Sequence, residues 1–401
     1  KADSLRELEA LTRTAGGAVV QQLIQIRPKP DPATLIGSGL VGSLKTLARQ
    51  HTIDIVVFDE ELTPTQQRNL EDELDLRVMD RTALILDIFA LHARTAEAKI
   101  QVELAQLEYR RTRLTGFGGV LSRLGGGIGT RGPGETKLEV DRRRILDRIA
   151  ALKRGLVRIE RERRTQSGRR AGQFRAVLVG YTSAGKSTLL NHLTGADAKV
   201  SEQLFSTLDA NTRVLALDRR VKVLLTDTVG FIRDLPPQLI ASFRSTLAEI
   251  RDADLILHVV DAADDQVDRQ IDAVNDTLTS IDAAGKPTLM VFTKSDRLAD
   301  ESAAQRLGRF YSGALVVSGV TGAGLDSLKA AMFEQVRGLM VTRVFHVPLD
   351  RGDIIGLVRR AGEVAAERVA GSRLRLEVTG FGADLARAQK EITARLGNRP
   401  R

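Results

Sequence analysis

The chain reads Gly180-Tyr181-Thr182-Ser183-Ala184-Gly185-Lys186-Ser187 directly after the apolar run Arg175-Ala176-Val177-Leu178-Val179. The stretch fits the pattern G-x-x-x-x-G-K-[ST], and Thr188-Leu189-Leu190-Asn191 after it is typical of a helix. Its glycines let backbone N–H groups face an anion, Lys186 supplies positive charge, and the Ser187 hydroxyl suits Mg²⁺. Because strand, loop and helix follow in the required order, these eight residues and Thr188 are predicted to bind a nucleoside triphosphate.

Two other segments can complete the phosphate end of this site. A buried-strand pattern at 221–226 runs into Asp227-Thr228-Val229-Gly230, where a carboxylate can hold Mg²⁺ through its water shell and the Gly230 amide can meet a γ-phosphate. Upstream, Leu204-Phe205-Ser206-Thr207-Leu208-Asp209 offers a loop threonine of the type that reaches Mg²⁺ when the γ-phosphate is present. We expect Ser187, Thr207 and Asp227 at the metal and Lys186, Thr207 and Gly230 in catalysis, with Phe205 and Ser206 lining the nucleotide site.

A third group of residues predicts which base is bound. The strand-like runs at 255–261 and 288–292 precede Thr293-Lys294-Ser295-Asp296. A carboxylate at Asp296 can accept both N–H donors on the Watson–Crick edge of guanine, which adenine lacks, while the Lys294 stem lies over the base. The loop Ser318-Gly319-Val320 follows another strand and can present a backbone N–H to the guanine carbonyl. Asp296 therefore favours GTP over ATP. The strand-end position of all these motifs predicts one site at the ligand-binding edge of an open, mostly parallel α/β sheet.

The composition limits the kind of protein. With 401 residues, 42% hydrophobic and 28% charged, the chain can form several soluble domains. It has no cysteine and five scattered histidines, which argues against disulfides and thiolate metal sites and leaves Mg²⁺ as the expected metal. No apolar run is long enough to span a membrane, and the first residues lack the apolar core of a secretory signal, so we expect a cytoplasmic protein.

The positive charge of the chain is concentrated in one segment. The formal net charge is +9, and residues 142–170 contain twelve Lys or Arg against three acidic residues. A solvated helix face is one interpretation, but the excess of one sign favours a polyanionic partner. Because aromatic residues make up 4% and Trp is absent, contacts with nucleic acid are expected at phosphates rather than through base stacking.

Patterning divides the chain into four predicted domains. Residues 1–81 suggest a small α/β domain, with strands at 19–26 and 53–58. Residues 82–170 are predicted to form a helical hairpin whose two arms are joined by a glycine-rich loop at 125–135. That loop is either a plain linker or a binding element. The second arm carries a coiled-coil seam pattern that steps by four and three, at Ile145, Ile149, Leu152, Leu156 and Ile159. Residues 171–339 hold the nucleotide motifs, and residues 340–401 suggest a small α/β domain with a helix near 353–369.

Together these segments resemble the HflX-type GTPases. The resemblance rests on the glycine-rich stretch at 126–139, Asp141-Arg142-Arg143, the stretch at 80–89 and the loop at 204–209, beside the shared GTPase motifs. It implies a helical hairpin that contacts ribosomal RNA of the large subunit, and ribosome splitting or rescue under stress. We also expect the protein to be monomeric off the ribosome. An Obg-like factor is the alternative within GTPases, disfavoured by the hairpin loop; an ATP-driven RNA-remodelling protein and a ribosome-binding wedge reset by hydrolysis are alternatives in other classes.

Three positions depart from the family pattern. Ser183 stands where asparagine, associated with a potassium ion, is usual, so potassium activation is not expected. Thr293 replaces the asparagine that braces the loop around the base, which predicts weaker nucleotide binding, with the base choice kept by Asp296. Gly37-Ser38-Gly39-Leu40 lacks the lysine usual after the glycine pair, so no nucleotide site is assigned to the N-terminal domain.

The residue after Gly230 bears on the rate of hydrolysis. Phe231 occupies the place where many GTPases carry a glutamine that orients the attacking water, and a phenyl ring cannot hydrogen-bond that water. Simple packing and exclusion of stray water are the two interpretations of this ring. We expect slow hydrolysis alone and acceleration by the ribosome.

Overall fold

The N-terminal region places helices around a short parallel sheet. The computed structural model describes residues 2–114, 137–167, 173–196, 204–205, 207–218, 221–233, 236, 239 and 244–397, so Ser206 and the glycine-rich loop at 125–135 lie outside the described residues. Thr63 begins the third helix with a capping box, in which its hydroxyl accepts from the Gln66 N–H while the Gln66 side chain accepts from the Thr63 N–H. The elements are α1 (Ala2–Thr14), α2 (Ser38–His51), β1 (Ile55–Phe58), α3 (Pro64–Leu74), β2 (Arg77–Asp80) and α4 (Arg81–His92).

The strand predicted at 19–26 is wrong. Residues 19–26 run without regular structure beside a cavity of about 420 Å³ between α1, α2 and β1. Val20, Ile24 and Ile26 are exposed. Alternating apolar and polar residues are typical of a strand with one buried face, but a strand also needs a neighbouring strand to pair with. Among the described strands, β1 pairs only with β2, so residues 19–26 have no such partner.

Two long helices form the hairpin arms, α5 (Ala96–Leu114) and α6 (Lys137–Ser167). The spacing by three and four predicts an apolar seam, and the structure confirms it: Leu104, Ile149 and Leu152 are buried between the helices. Arg148 pairs with Glu103 at 2.6 Å, and Lys153 pairs with Glu108 at 3.0 Å. The seam therefore fixes the two arms against each other and leaves their outer faces in solvent.

The nucleotide motifs lie on a six-stranded sheet. Its strands are β3 (Phe174–Gly180), β4 (Asn211–Ala216), β5 (Lys222–Asp227), β6 (Leu255–Asp261), β7 (Thr288–Thr293) and β8 (Leu315–Val316). They lie in the order β4-β5-β3-β6-β7-β8, with β4 antiparallel and the others parallel, which confirms the predicted open sheet. The helices packed around it are α7 (Lys186–Thr194), α8 (Arg244–Asp252), α9 (Val267–Ser280), α10 (Glu301–Phe310) and α11 (Leu325–Gly338).

The C-terminal region is a three-stranded antiparallel sheet with two helices on one face. Its elements are β9 (Met340–Pro348), α12 (Gly352–Ala361), β10 (Glu363–Ala370), β11 (Arg373–Phe381) and α13 (Gly382–Gly397), with strand order β10-β11-β9. The helix predicted near 353–369 is therefore wrong beyond Ala361. Glu363 to Ala370 include good helix formers, but they pair with β11, and this pairing outweighs local propensity.

One apolar core joins the N-terminal region to the nucleotide-binding sheet. Leu8 and Leu11 of α1 and Phe89 of α4 share a buried cluster with Phe205 and Phe231 from the loops beside the phosphate loop. No helix among the described residues is long and apolar enough to cross a membrane. The loops that contain Phe205 and Phe231, on either side of the predicted phosphate site, are therefore packed against N-terminal helices.

Candidate nucleotide site

The phosphate loop leaves β3 at Gly180 and enters α7 at Lys186. A Cβ at Gly180 would lie 2.1 Å from the Val259 carbonyl oxygen, so only glycine allows β6 to approach this closely. Gly185 has φ of 86° and Ser183 has φ of 60°, and both therefore adopt the left-handed conformation. These turns place the loop over the carboxyl edge of the sheet, at the N-terminus of α7.

Lys186 lies under the phosphate loop. Its Nζ donates to the carbonyl oxygens of Gly180 at 3.0 Å and Tyr181 at 2.7 Å. Burial lowers the pKa of Lys186 to about 8, against the opposing influence of Asp227. An ammonium has three donors, so two fix its position and one is left for a phosphate oxygen.

The three residues predicted at the metal meet in space. Ser187 Oγ donates to Asp227 Oδ2 at 2.6 Å and lies 2.9 Å from Thr207 Oγ1, which in turn donates to Asp227 Oδ2 at 3.2 Å. Asp227 Oδ1 is buried without a partner among the described residues, and burial raises the pKa of this carboxyl. Two hydroxyls and one unsatisfied carboxylate oxygen are the oxygen donors that Mg²⁺ takes with waters and phosphates, so the residues present fit this ion.

No cluster of three or more acidic, histidine or cysteine side chains suited to a metal occurs in the described part of the chain.

The segment after Asp227 packs tightly on the phosphate loop. Phe231 N donates to the Gly180 oxygen at 3.0 Å, and Thr182 N donates to the Phe231 oxygen at 2.8 Å. A Cβ at Gly230 would lie 2.9 Å from Thr182 Cα and 3.0 Å from Lys186 Nζ. The Phe231 ring is buried in the core shared with the N-terminal helices, which supports the packing interpretation of that ring. Thr228 Oγ1 donates to the Leu178 oxygen at 2.7 Å, and Val229 is buried, so the side chains of both residues hold the segment in place.

Thr293 braces the base end of the site. Its hydroxyl lies 2.6 Å from the Ala184 oxygen and 3.1 Å from the Val260 oxygen, and it is 2% exposed. The expectation that loss of the asparagine amide removes this brace is therefore not supported, since the shorter side chain still ties β7 to the phosphate loop.

The other base-end residues are held by neighbours. Lys294 Nζ donates to Asp261 Oδ2 at 2.6 Å, and Ser318 Oγ donates to Asp296 Oδ1 at 2.5 Å. Val320 N donates to Ser318 Oγ at 3.2 Å. Gly319 packs on α7, where a Cβ would lie 3.3 Å from the Thr188 side chain. The structure thus brings the predicted base-end residues to one edge of the sheet.

Sequence reasoning missed several residues around this site. Asp261, which holds Lys294, could have been found from its place at the end of β6. Glu7 of α1 gave no local signal: its Oε1 accepts from the Tyr181 hydroxyl at 2.5 Å, and its Oε2 accepts from Arg81 at 2.7 Å. Arg233 N donates to the Tyr181 hydroxyl at 2.9 Å. A phosphate-loop side chain therefore joins α1 to the segment after Gly230.

His258 is a buried histidine of β6 that has no assigned role. It is 1% exposed, and its Nε2 has no hydrogen-bond partner among the described residues. Burial, together with the charge of Lys186, lowers the pKa of His258 to about 4. The ring is therefore neutral at physiological pH.

The strand–loop–helix, the oxygen cluster at its phosphate end and the Asp296 loop define a P-loop guanine-nucleotide-binding protein. Family profiles match residues 2–90 (GTP-binding GTPase N-terminal), 92–170 (GTP-binding GTPase Middle Region) and 175–294 (50S ribosome-binding GTPase). The chain belongs to the HflX family of GTPases. It is therefore a GTP-binding protein that hydrolyses GTP.

Three of the curated relatives that carry the name GTPase HflX show the extent of the similarity. The protein of Alkalihalophilus pseudofirmus is 40% identical over 98% of this chain and 92% of its own length. The Escherichia coli protein is 43% identical over 87% of this chain and 83% of its own length. The protein of Caldanaerobacter subterraneus subsp. tengcongensis is 51% identical over 74% and 70%, respectively.

Proposed function

We propose that this GTPase binds the large ribosomal subunit and its rRNA through residues 82–170, and splits or rescues stalled or idle ribosomes under stress. The observation that carries the proposal is a strongly basic hairpin whose first helix begins beside the GTPase loop that contains Thr207. Arg142, Arg154 and Arg158 of α6 are all exposed. Such a surface favours the phosphates of folded RNA. The protein acts in the cytoplasm as a monomer when it is off the ribosome.

The nucleotide site suggests how each group contributes to hydrolysis. We assign Lys186 and the loop amides to the β- and γ-phosphates, and the Gly230 amide to the γ-phosphate oxygen on which charge develops. Ser187, Thr207 and Asp227 would hold Mg²⁺, which when bound neutralises charge on the phosphate oxygens. Water attacks the γ-phosphate in line, giving GDP and phosphate. With the Phe231 ring packed in the core, no side chain at this position orients the water, so slow turnover without a partner follows.

Turnover with and without large subunits tests the proposal. Strong stimulation of GTP hydrolysis by large subunits supports a ribosome-linked GTPase, and equal turnover argues against it. If a non-hydrolysable GTP analogue supports ribosome splitting, the hairpin acts as a steric wedge and hydrolysis only resets the protein. Competition of ATP with labelled GTP would instead favour an ATP-driven role.

Charge variants test the binding surface. The triple change Arg142→Gln, Arg154→Gln, Arg158→Gln should weaken co-sedimentation with large subunits and flatten its salt dependence by up to about 0.7–0.9 log units per lost phosphate contact. The matched control is Arg306→Gln, Arg309→Gln, Arg337→Gln, which removes the same charge from α10 and α11. Equal loss of binding in both triples would refute a specific hairpin surface.

A further inference from the structure

The loop that contains Thr207 is held on one side by α4 and on the other by the residue that precedes α5. Phe205, two residues before Thr207, packs its ring edge-on against Phe89 at the end of α4, with centroids 4.6 Å apart and an interplanar angle of 74°. Asp209, two residues after it, accepts hydrogen bonds from the Thr95 N–H at 3.3 Å and from the Thr95 hydroxyl. Thr207 thus lies between two anchors, while its own hydroxyl points to Ser187 and Asp227.

The first anchor holds an unfavourable backbone conformation. Phe205 has φ of 57°, in the left-handed region that bulky side chains rarely adopt. Its ring is 3% exposed within the core shared with α4 and α5. Such a conformation persists when surrounding packing determines it, and here the packing is supplied by Phe89.

The second anchor joins the loop to the first hairpin helix. Thr95 Oγ1 accepts from Ala98 N at 3.1 Å in the first turn of α5 while it donates to Asp209. The Asp209 carboxylate lies at the N-terminus of this helix, where negative charge is stabilised. When the Thr207 loop moves, either the hydrogen bonds between Thr95 and Asp209 break or the start of α5 moves with the loop.

We infer that Phe89 and Thr95 are positioning residues for GTP hydrolysis, which hold the Thr207 hydroxyl facing Ser187 and Asp227. The inference rests on the role proposed for Thr207 at the γ-phosphate end. It assigns to the junction between α4 and α5 a part in the reaction, which Phe89 exerts through Phe205 and Thr95 through Asp209. The contacts of Phe89 with Phe205 and of Thr95 with Asp209 should affect hydrolysis and the binding of GTP, for which the loop closes on the γ-phosphate. They should not affect the binding of GDP, which has no γ-phosphate.

The test uses the full chain without ribosomes. Phe89→Leu, Thr95→Val and Asp209→Ala should each lower the single-turnover rate about tenfold and weaken binding of a fluorescent non-hydrolysable GTP analogue at least threefold. Binding of the matching GDP analogue should stay within twofold. Thr95→Ser keeps the hydroxyl and should restore both values. The double variant Thr95→Val with Asp209→Ala should be no worse than Asp209→Ala alone, because the Asp209 change already removes both hydrogen bonds to Thr95.

Two controls separate positioning from loss of structure. Phe310→Leu at the exposed end of α10 and Thr46→Val on α2 make the same chemical changes away from the loop, and should leave all three measurements unchanged. Equal weakening of the GDP and GTP analogues in the Phe89 and Thr95 variants, or an unchanged rate in them, would overturn the inference. Thr207→Ala is measured alongside: if it hydrolyses GTP normally, the role proposed for Thr207 itself fails, a result distinct from failure of the anchors.

Discussion

The hydroxyl of Thr293 lies 2.6 Å from the carbonyl oxygen of Ala184 and so links the end of β7 to the phosphate loop. Thr293→Ala should weaken GDP binding about fivefold, because a buried hydrogen bond contributes about 0.5–1.5 kcal/mol. Thr293→Asn, the usual residue of the family, should bind at least as well as the wild type. Titration with a fluorescent GDP analogue measures both. Unchanged affinity in Thr293→Ala would contradict a bracing role.

Affinity for nucleotide should fall above pH 8. Burial lowers the pKa of Lys186 to about 8 in the free protein, whereas a bound phosphate favours the charged lysine and raises its pKa again. Binding therefore takes up a proton above pH 8, and affinity should drop by up to about tenfold per pH unit there and be flat below pH 7. Equilibrium titrations from pH 6 to pH 9 measure this, and Lys186→Met reports any titration of the guanine base. A drop of the same size in that variant would refute the assignment.

Asp227→Asn should weaken the response to Mg²⁺. The carboxylate accepts from both Ser187 and Thr207, and its other oxygen has no partner among the described residues, so replacing it should raise the Mg²⁺ concentration needed for hydrolysis about 10–100-fold. Magnesium titrations of single-turnover hydrolysis measure the change. GDP binding in excess chelator serves as the control, since it should change little. Wild-type hydrolysis that persists in chelator would contradict the metal site.

Ser183→Asn should introduce a preference for potassium. Ser183 has φ of 60°, and asparagine adopts this conformation more readily than serine. The longer side chain also presents an amide oxygen to a cation, as the family resemblance implies. Hydrolysis rates in potassium and sodium buffers should be equal for the wild type and differ for the variant. A wild type already stimulated by potassium would show that another group holds the ion.

Asp80→Ala should strongly destabilise the N-terminal region. Asp80 is 1% exposed, caps α4 through Ala83 N, and accepts from Tyr109 at 2.8 Å and Arg113 at 2.6 Å. Removing one partner of a buried ion pair costs about 3–5 kcal/mol. Urea unfolding should register this loss, while Asp54→Ala at an exposed position should change stability by less than about 0.5 kcal/mol. Equal stability of the two variants would refute the network's importance.

The phosphate loop could be predicted because its chemistry is contiguous. A strand, eight residues and a helix N-terminus make most of an anion site without help from elsewhere, and the strand-end motifs meet because parallel strands share one carboxyl edge. The hairpin seam was likewise predictable, since spacing by three and four commits Ile149 and Leu152 to one face.

Other elements were not predictable from local pattern. Residues 19–26 have strand-like alternation without a paired partner, whereas Glu363 to Ala370 have helix formers and pair with β11. In both segments the presence or absence of a pairing strand decides the structure, because a single short element has little stability of its own.

The sequence by itself determined that this protein has a phosphate loop, a carboxylate suited to guanine and a basic hairpin, because each depends on residues close together in the chain. Only the tertiary structure decided that Glu7 reaches Tyr181, that Phe89 supports Phe205 and that Thr95 binds Asp209. These pairs are separated by more than a hundred residues, and no local periodicity reports such a contact. Burial of apolar surface between α1, α4 and the nucleotide-binding sheet brings them together.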